Sequence, residues 1–298
     1  MKYKDIAKSL NIGVAAVTKY CKKLKIRDKD LDAPSFHVPL ASIVKPLDEI
    51  HSGSKNDRAY AARIFDLIDT EQKAYWLGLF YADGHVSSND NTISLALKES
   101  DKNHVERFRD FVHMNENAIQ KKIRKLDGKE YVSYSFSFAN KATHDALVGL
   151  GCPSRKTFIL KFPDESIVPK HLMRHFVRGY YDGDGSCTHG GSSKISLEIL
   201  GTSDFLNGYQ AWTGIEHQVY GFDHSTINRS IYSGPYAIYI LDNLYDNASI
   251  YLPRKYETYL KERRLALQSI RTARLLVGKI GEGLTGDADA NTEVTPTA

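Results

Sequence analysis

The chain carries one short word twice. AYWLGLFYADG ends at Gly84 and HFVRGYYDGDG ends at Gly185. Each runs from an aromatic, apolar stretch with helical spacing into Asp-Gly. In each, small residues stand four apart: Gly78 and Ala82 in the first, Gly179 and Gly183 in the second. Residues four apart share one helix face. Small residues there remove the bulk that keeps two helix axes about 8–10 Å apart. If the two copies pack on these positions, their backbones meet, and Asp83 and Asp184 arrive at the same end. Two carboxylates side by side are costly unless a hard divalent cation sits between them. The bland alternative for each Asp-Gly is a helix C-terminal turn.

The repeat continues downstream. Thr92 to Lys98 and Lys194 to Ile199 both alternate, with Ile-x-Leu on one face, the pattern of a half-buried strand. Ser100-Asp101 and Ser203-Asp204 follow, each expected to open a helix as its N-cap. A second alternating stretch is read at Tyr131 to Phe138 and again at Tyr236 to Leu241. Each copy closes on Arg-Lys: Arg155-Lys156, with the lysine 73 residues after Asp83, and Arg254-Lys255, with the lysine 71 after Asp184. Each half therefore reads as helix, hairpin, helix, hairpin, helix. A period of roughly 100 residues suits two related half-domains better than a solenoid.

Over residues 65–265 the chain resembles the LAGLIDADG homing endonucleases in their single-chain, two-motif form. The words align as Trp76-Leu-Gly-Leu-Phe-Tyr-Ala-Asp-Gly84 and Val177-Arg-Gly-Tyr-Tyr-Asp-Gly-Asp-Gly185. They depart from the family word at Tyr81, where it has its first Asp, and at Arg178, where it has Ala. The resemblance implies an α+β fold: two pseudo-symmetric half-domains of αββαββα type forming a DNA-binding saddle. It implies two or three Mg2+ ions, with Mn2+ able to substitute, held by Asp83 and Asp184 and by the carbonyls of Ala82 and Gly183. Gly78, Ala82, Gly179 and Gly183 would form the helix interface. Lys156 and Lys255 would stand near the scissile phosphates, where an ammonium stabilises developing charge. Plain phosphate contact or a solvated helix start is the alternative for both lysines. The partner implied is double-stranded DNA, bound by a monomer at one long site and cut with short 3′ overhangs, as in intron homing and mobile genetic elements. Asp182 is read as a solvated surface group with no assigned role.

The outward strand faces are expected to read DNA through Ser94, Lys98, Tyr131, Ser133, Ser135 and Ser137, beside Lys121, Lys122, Arg124 and Lys125. Arg155 and Arg254 join them. A two-stranded ribbon fits a major groove; an ordinary solvated sheet face is the alternative. His171 and His175 stand at helical spacing, but no third ligand accompanies them, so they are read as surface or core histidines rather than a metal site.

Residues 1–27 read as a small α-helical helix-turn-helix module. Its second helix presents Thr18, Lys19, Lys22 and Lys23 outward, suited to a major groove; a helical hairpin packed on the main body is the alternative. Residues 28–60 read as a charged, turn-rich linker. The half-domains are expected at 61–165 and 166–275, and the polar end, 276–298, as a disordered tail.

The 298 residues leave room for this arrangement, and 42% hydrophobic content supports a core. A net charge of +4 does not establish nucleic-acid binding, though the basic residues cluster. Three cysteines without a C-x-x-C pair argue for a reducing compartment and against a zinc site. With no signal peptide and no long apolar run, a soluble protein of the cytoplasm with no membrane partner is expected. An initial Met and an end lacking His-Asn read as a free-standing protein rather than an intein.

The reading reached is a metal-dependent, site-specific DNA endonuclease making a double-strand break. Two rivals use the same scaffold: an intron maturase binding RNA, and a helix-turn-helix transcription regulator without nuclease activity. Retention of both acids favours the nuclease over the regulator, while RNA binding stays open.

Overall fold

The computed structural model describes residues 58–114, 117–189, 195–216, 219–221 and 226–268. The expected helix-turn-helix with Thr18, Lys19, Lys22 and Lys23, most of the linker, and the polar tail lie outside the described residues.

Two helices form the centre. Helix α1 (Glu71–Ala82) starts at Thr70, whose hydroxyl accepts from the Lys73 N–H at 3.3 Å. Ala74 through Tyr81 are all buried. A helix apolar all round is a helix packed all round. Each half-domain then repeats one path. In the first, β1 (Gly84–Val86) and β2 (Thr92–Lys98) form a hairpin, followed by α2 (Lys102–Phe111), β3 (Gln120–Leu126), β4 (Lys129–Ala139) and α3 (Lys141–Gly149). The second begins with α4 (Met173–Asp184), then β5 (Gly185–His189), β6 (Ile195–Gly201), α5 (Ser203–Thr213), β7 (Val219–Gly221), β8 (Asn228–Ser233) and α6 (Pro235–Tyr245). Residues 253–268 are helical again (α7).

Each half contains an antiparallel four-stranded sheet, ordered β1-β2-β4-β3 and β5-β6-β8-β7. The fold is therefore α+β, with an internal repeat as expected. Ile93, Leu95 and Leu97 turn inward from β2, and Ile195, Leu197 and Ile199 from β6. They join Phe108 of α2 and Phe205 and Tyr209 of α5 in one apolar core.

The α1–α4 contact is backbone on backbone. A Cβ placed on Gly78 would lie 1.9 Å from the Phe176 carbonyl oxygen, and one on Gly179 would lie 2.0 Å from that of Tyr75. The small-residue stripes are thus the crossing itself.

Two local readings are corrected. Tyr236 to Leu241 is helix, inside α6, not strand. Pro235 stands at its first turn after Gly234, and Ala237, Ile240, Leu241 and Leu244 are buried, an i, i+3, i+4, i+7 stripe. The second hairpin is the more polar pair β7 and β8. The helix starts also differ. Thr202, not Ser203-Asp204, caps α5, its Oγ1 accepting from the Phe205 N–H at 3.1 Å. Asp101 precedes α2 without capping it through its side chain. Its carboxylate goes to Arg254 instead.

Candidate functional site

The helix crossing delivers the two acids to one place. Asp83 is the C-cap of α1, its N–H donating to the Leu79 carbonyl at 2.8 Å, and Asp184 is the last residue of α4. A Cβ on Gly183 would meet the Ala82 methyl at 2.4 Å and Asp83 Oδ2 at 3.1 Å. The Asp83 carboxylate therefore lies over the backbone that leads into Asp184. The surrounding protein mass raises both carboxyls above their ordinary range. For Asp184, burial and then the neighbouring charge of Asp83 push it to about 6. Asp83 is raised by burial, against the pull of Lys156, Lys255 and Arg254.

The lysines from the Arg-Lys pairs come to the same site. Lys156 is buried and its Nζ donates to the carbonyl of Gly84, the residue after the first acid. Lys255 Nζ donates to the carbonyl of Gly185, the residue after the second. Burial and then Arg254 lower the Lys255 ammonium, while Asp182, Asp83 and Asp184 pull it back up. The repeat thus holds at the level of single hydrogen bonds.

Two carboxylates with backbone carbonyls beside them form a hard, oxygen-only donor set. Among the described residues no cluster of three or more ligating side chains occurs. That set suits a cation that keeps several waters, as magnesium does. His171 is exposed and His175 is buried against Arg178 Nη1 at 2.9 Å, so neither belongs to the site.

Asp182 is not the surface group expected. It is fully buried and accepts from Tyr75 Oη at 2.8 Å, Tyr245 Oη at 2.9 Å and the Leu252 N–H at 2.6 Å. Burial raises its carboxyl to about 6, and these donors restrain the rise. Arg178, which departs from the LAGLIDADG word on α4, is also fully buried. It donates to the carbonyls of Leu244 and Ile250 and pairs with Glu71 Oε1 on α1 at 2.7 Å. Asp101 and Arg254 make a third polar tie between the halves at 2.7 Å. Arg155 has left-handed φ (56°) and is exposed.

Register sorts the strand residues. Cross-strand partners point to the same face. Ser94 faces Ser137, Ala96 faces Ser135 and Lys98 faces Ser133. On the β3 side, Gln120, Lys122 and Arg124 stand opposite Ser135, Ser133 and Tyr131. His85 joins them through Ser94. This face brings together the expected Ser94, Lys98, Tyr131, Ser133, Ser137 and Arg124, with Ser135 buried within it. Lys121 pairs with Tyr134 and stands on the other face, 3.9 Å from Glu99. Lys125, opposite Glu130, shares that other face. His85 and Gln120 were missed. For Gln120 the signal was Asp127-Gly128, both at positive φ in a two-residue turn between Leu126 and Lys129, which fixes β3 register by counting back in twos; His85 lies on β1, whose register that turn does not set. The second sheet's corresponding face carries Ser186, Thr188, Ser196, Ile231 and a Glu198–Arg229 pair at 3.6 Å.

No protein-family model and no curated protein matches the chain. Among solved structures it is similar to the homing endonuclease I-WcaI bound to its DNA recognition sequence, at 11% identity over 65% of this chain and 87% of that one, with a TM-score of 0.49. The LAGLIDADG homing endonuclease I-GzeII in complex with its DNA target aligns at 10% identity over 74% and 99%, with a TM-score of 0.44. The meganuclease I-SmaMI bound to uncleavable DNA aligns at 10% over 74% and 97%, with a TM-score of 0.42.

Proposed function

We propose that this chain is a LAGLIDADG homing endonuclease that cuts both strands of one long DNA site as a monomer. The observation that carries the reading is the paired site: Asp83 and Asp184 on one backbone-to-backbone helix crossing, each attended by a lysine bonded to the next glycine's carbonyl. Carboxylates that repel each other are a liability unless a cation is drawn between them. When bound, a divalent cation such as magnesium, held by Asp83, Asp184 and the carbonyls of Ala82 and Gly183, supplies Lewis-acid stabilisation of phosphate oxygens. Lys156 and Lys255 place ammonium donors beside it, where negative charge grows as water attacks phosphorus. The P–O bond to the leaving sugar oxygen breaks, and that oxygen takes up a proton. The sheet face with Lys98, Lys122 and Arg124 holds the backbone, while Ser94, Ser133 and Ser137 meet base edges or water. Residues 1–27 act as a tethered second DNA binder that lengthens the footprint.

The test is cleavage of a random-sequence duplex library with magnesium, followed by sequencing of the cut ends. Recurrent staggered ends are expected with wild type, and none with Asp83→Asn or Asp184→Asn, each of which should still shift the selected duplex in a gel. Asn keeps the shape and removes a ligand charge. Near-wild-type double-strand cutting by either variant would sink the assignment.

A further inference from the structure

The two words differ at the position two residues before each acid, Tyr81 in one and Asp182 in the other. Each side chain packs within the helix pair, Tyr81 against Phe176 and Asp182 with Tyr75, and also ties down the segment that carries that half's lysine. Tyr81 Oη donates to the Leu150 carbonyl at 2.5 Å, and its ring caps Gly151, where a Cβ would lie 2.2 Å from the hydroxyl. Gly151 has φ of 88°, so the loop reverses under the tyrosine before reaching Lys156. Asp182 accepts the Leu252 N–H at 2.6 Å, at the root of the helix that bears Lys255. Each lysine arm is therefore held twice: at its root by the residue two before the acid, and at its tip by the glycine carbonyl after the acid.

On the nuclease reading above, we propose that Tyr81 and Asp182 are positioning residues, one for Lys156 and one for Lys255, and that each acts on the cutting of one strand only. Different chemistry does the same job in each half: a phenol reaching a carbonyl in one, a carboxylate receiving an N–H in the other. Neither side chain is placed to touch DNA, since both are buried.

The experiment follows each strand separately on a duplex labelled at both ends. Tyr81→Phe keeps the ring and removes only the donor. It should slow one strand by about 10–100-fold, the scale of a misplacement near 1 Å. Nicked duplex should accumulate while DNA affinity and Tm stay near wild type. Asp182→Asn should slow the other strand. Tyr245→Phe removes a different donor to Asp182, leaves the Leu252 bond, and should show no strand bias. Combined with Lys156→Met, Tyr81→Phe should add little on the affected strand. Equal slowing of both strands, or full additivity with Lys156→Met, overturns the proposal.

A second readout needs no DNA. Acetylation of surface amines, followed by mass spectrometry, should label Lys156 faster in Tyr81→Phe with Lys255 unchanged. Should Asp182→Asn fail to fold, Tyr81→Phe still decides. Unchanged labelling of Lys156 overturns the proposal. If wild type cuts no duplex while labelling shifts as expected, the nuclease reading fails and the tethering of the arm stands.

Discussion

His104 on α2 meets Tyr75 Oη at 2.7 Å. The tyrosine's single proton goes to Asp182, so the imidazole donates from Nε2. Its Nδ1 is buried and meets no hydrogen-bond partner among the described residues. Burial, then Arg107 and Arg254, hold its pKa down to about 3 from 6.5. The folded state therefore takes up this proton later than the unfolded chain. Its contribution to stability is complete above about pH 6.5 and is lost as pH falls toward 3. Asp182, raised to about 6, acts in the opposite sense as pH falls from there toward 3.8. A difference measurement separates them. His104→Gln keeps a donor to Tyr75 without titrating, so melts taken at about pH 7 and about pH 4 should show wild type losing Tm relative to the variant. Parallel curves would refute the assignment. At this scale the sequence was least legible. Asp182 and Arg178 looked like an extra acid and a substituted alanine, because their partners Tyr75, Glu71, Tyr245 and Leu252 come from remote segments.

At the scale of elements, the helix crossing was plain in the sequence because small residues four apart, repeated with the whole word, clear a strip wide enough for a second backbone. Its tightness makes a graded prediction. Gly179→Ala drives a methyl into the Tyr75 carbonyl, which is backbone and cannot step aside. It should cost about 1–3 kcal/mol, with Gly179→Leu worse. Each kcal/mol is about 2–4 °C of Tm for a domain of this size. An unchanged melt for either variant would mean that these helices do not cross there. Gly183→Ala meets side-chain atoms instead, the Ala82 methyl and Asp83 Oδ2. It should spare Tm better and injure cleavage more, because the displaced atom is the carboxylate. The misread element was α6. Tyr236 to Leu241 is apolar in almost every position, and a short run of that kind fits strand or helix until Pro235 is given its weight as a first-turn residue.

For the molecule as a whole, the two sheets are alike in topology and unlike in charge. The first face gathers Lys98, Lys122 and Arg124, with no carboxylate among the described residues of that face. On the second, Arg229 is answered by Glu198. Phosphate contact should therefore be weighted toward the first half. Lys122→Ala and Arg124→Ala should each lower the salt slope of DNA binding by about 1. Arg229→Ala should change it less, because a partnered guanidinium neutralises less of the DNA charge. Equal slopes across all three variants would remove the asymmetry. The duplicated architecture was legible from the words, the alternating strands and the Arg-Lys pairs. The distribution of charge between faces was not, because it depends on strand register.

A crossing built from main-chain atoms has a further consequence for ancestry and exchange. Peptide backbone is the same in every protein, so Gly78 against Phe176 and Gly179 against Tyr75 make a socket that any half with small residues at those points can enter. What is particular to this pair of halves is the set of polar couples around the socket: Glu71 with Arg178, Tyr75 with Asp182, Asp101 with Arg254. A hybrid that grafts another half onto this one inherits a fitting joint and a mismatched key. Its success turns on transplanting those three couples together.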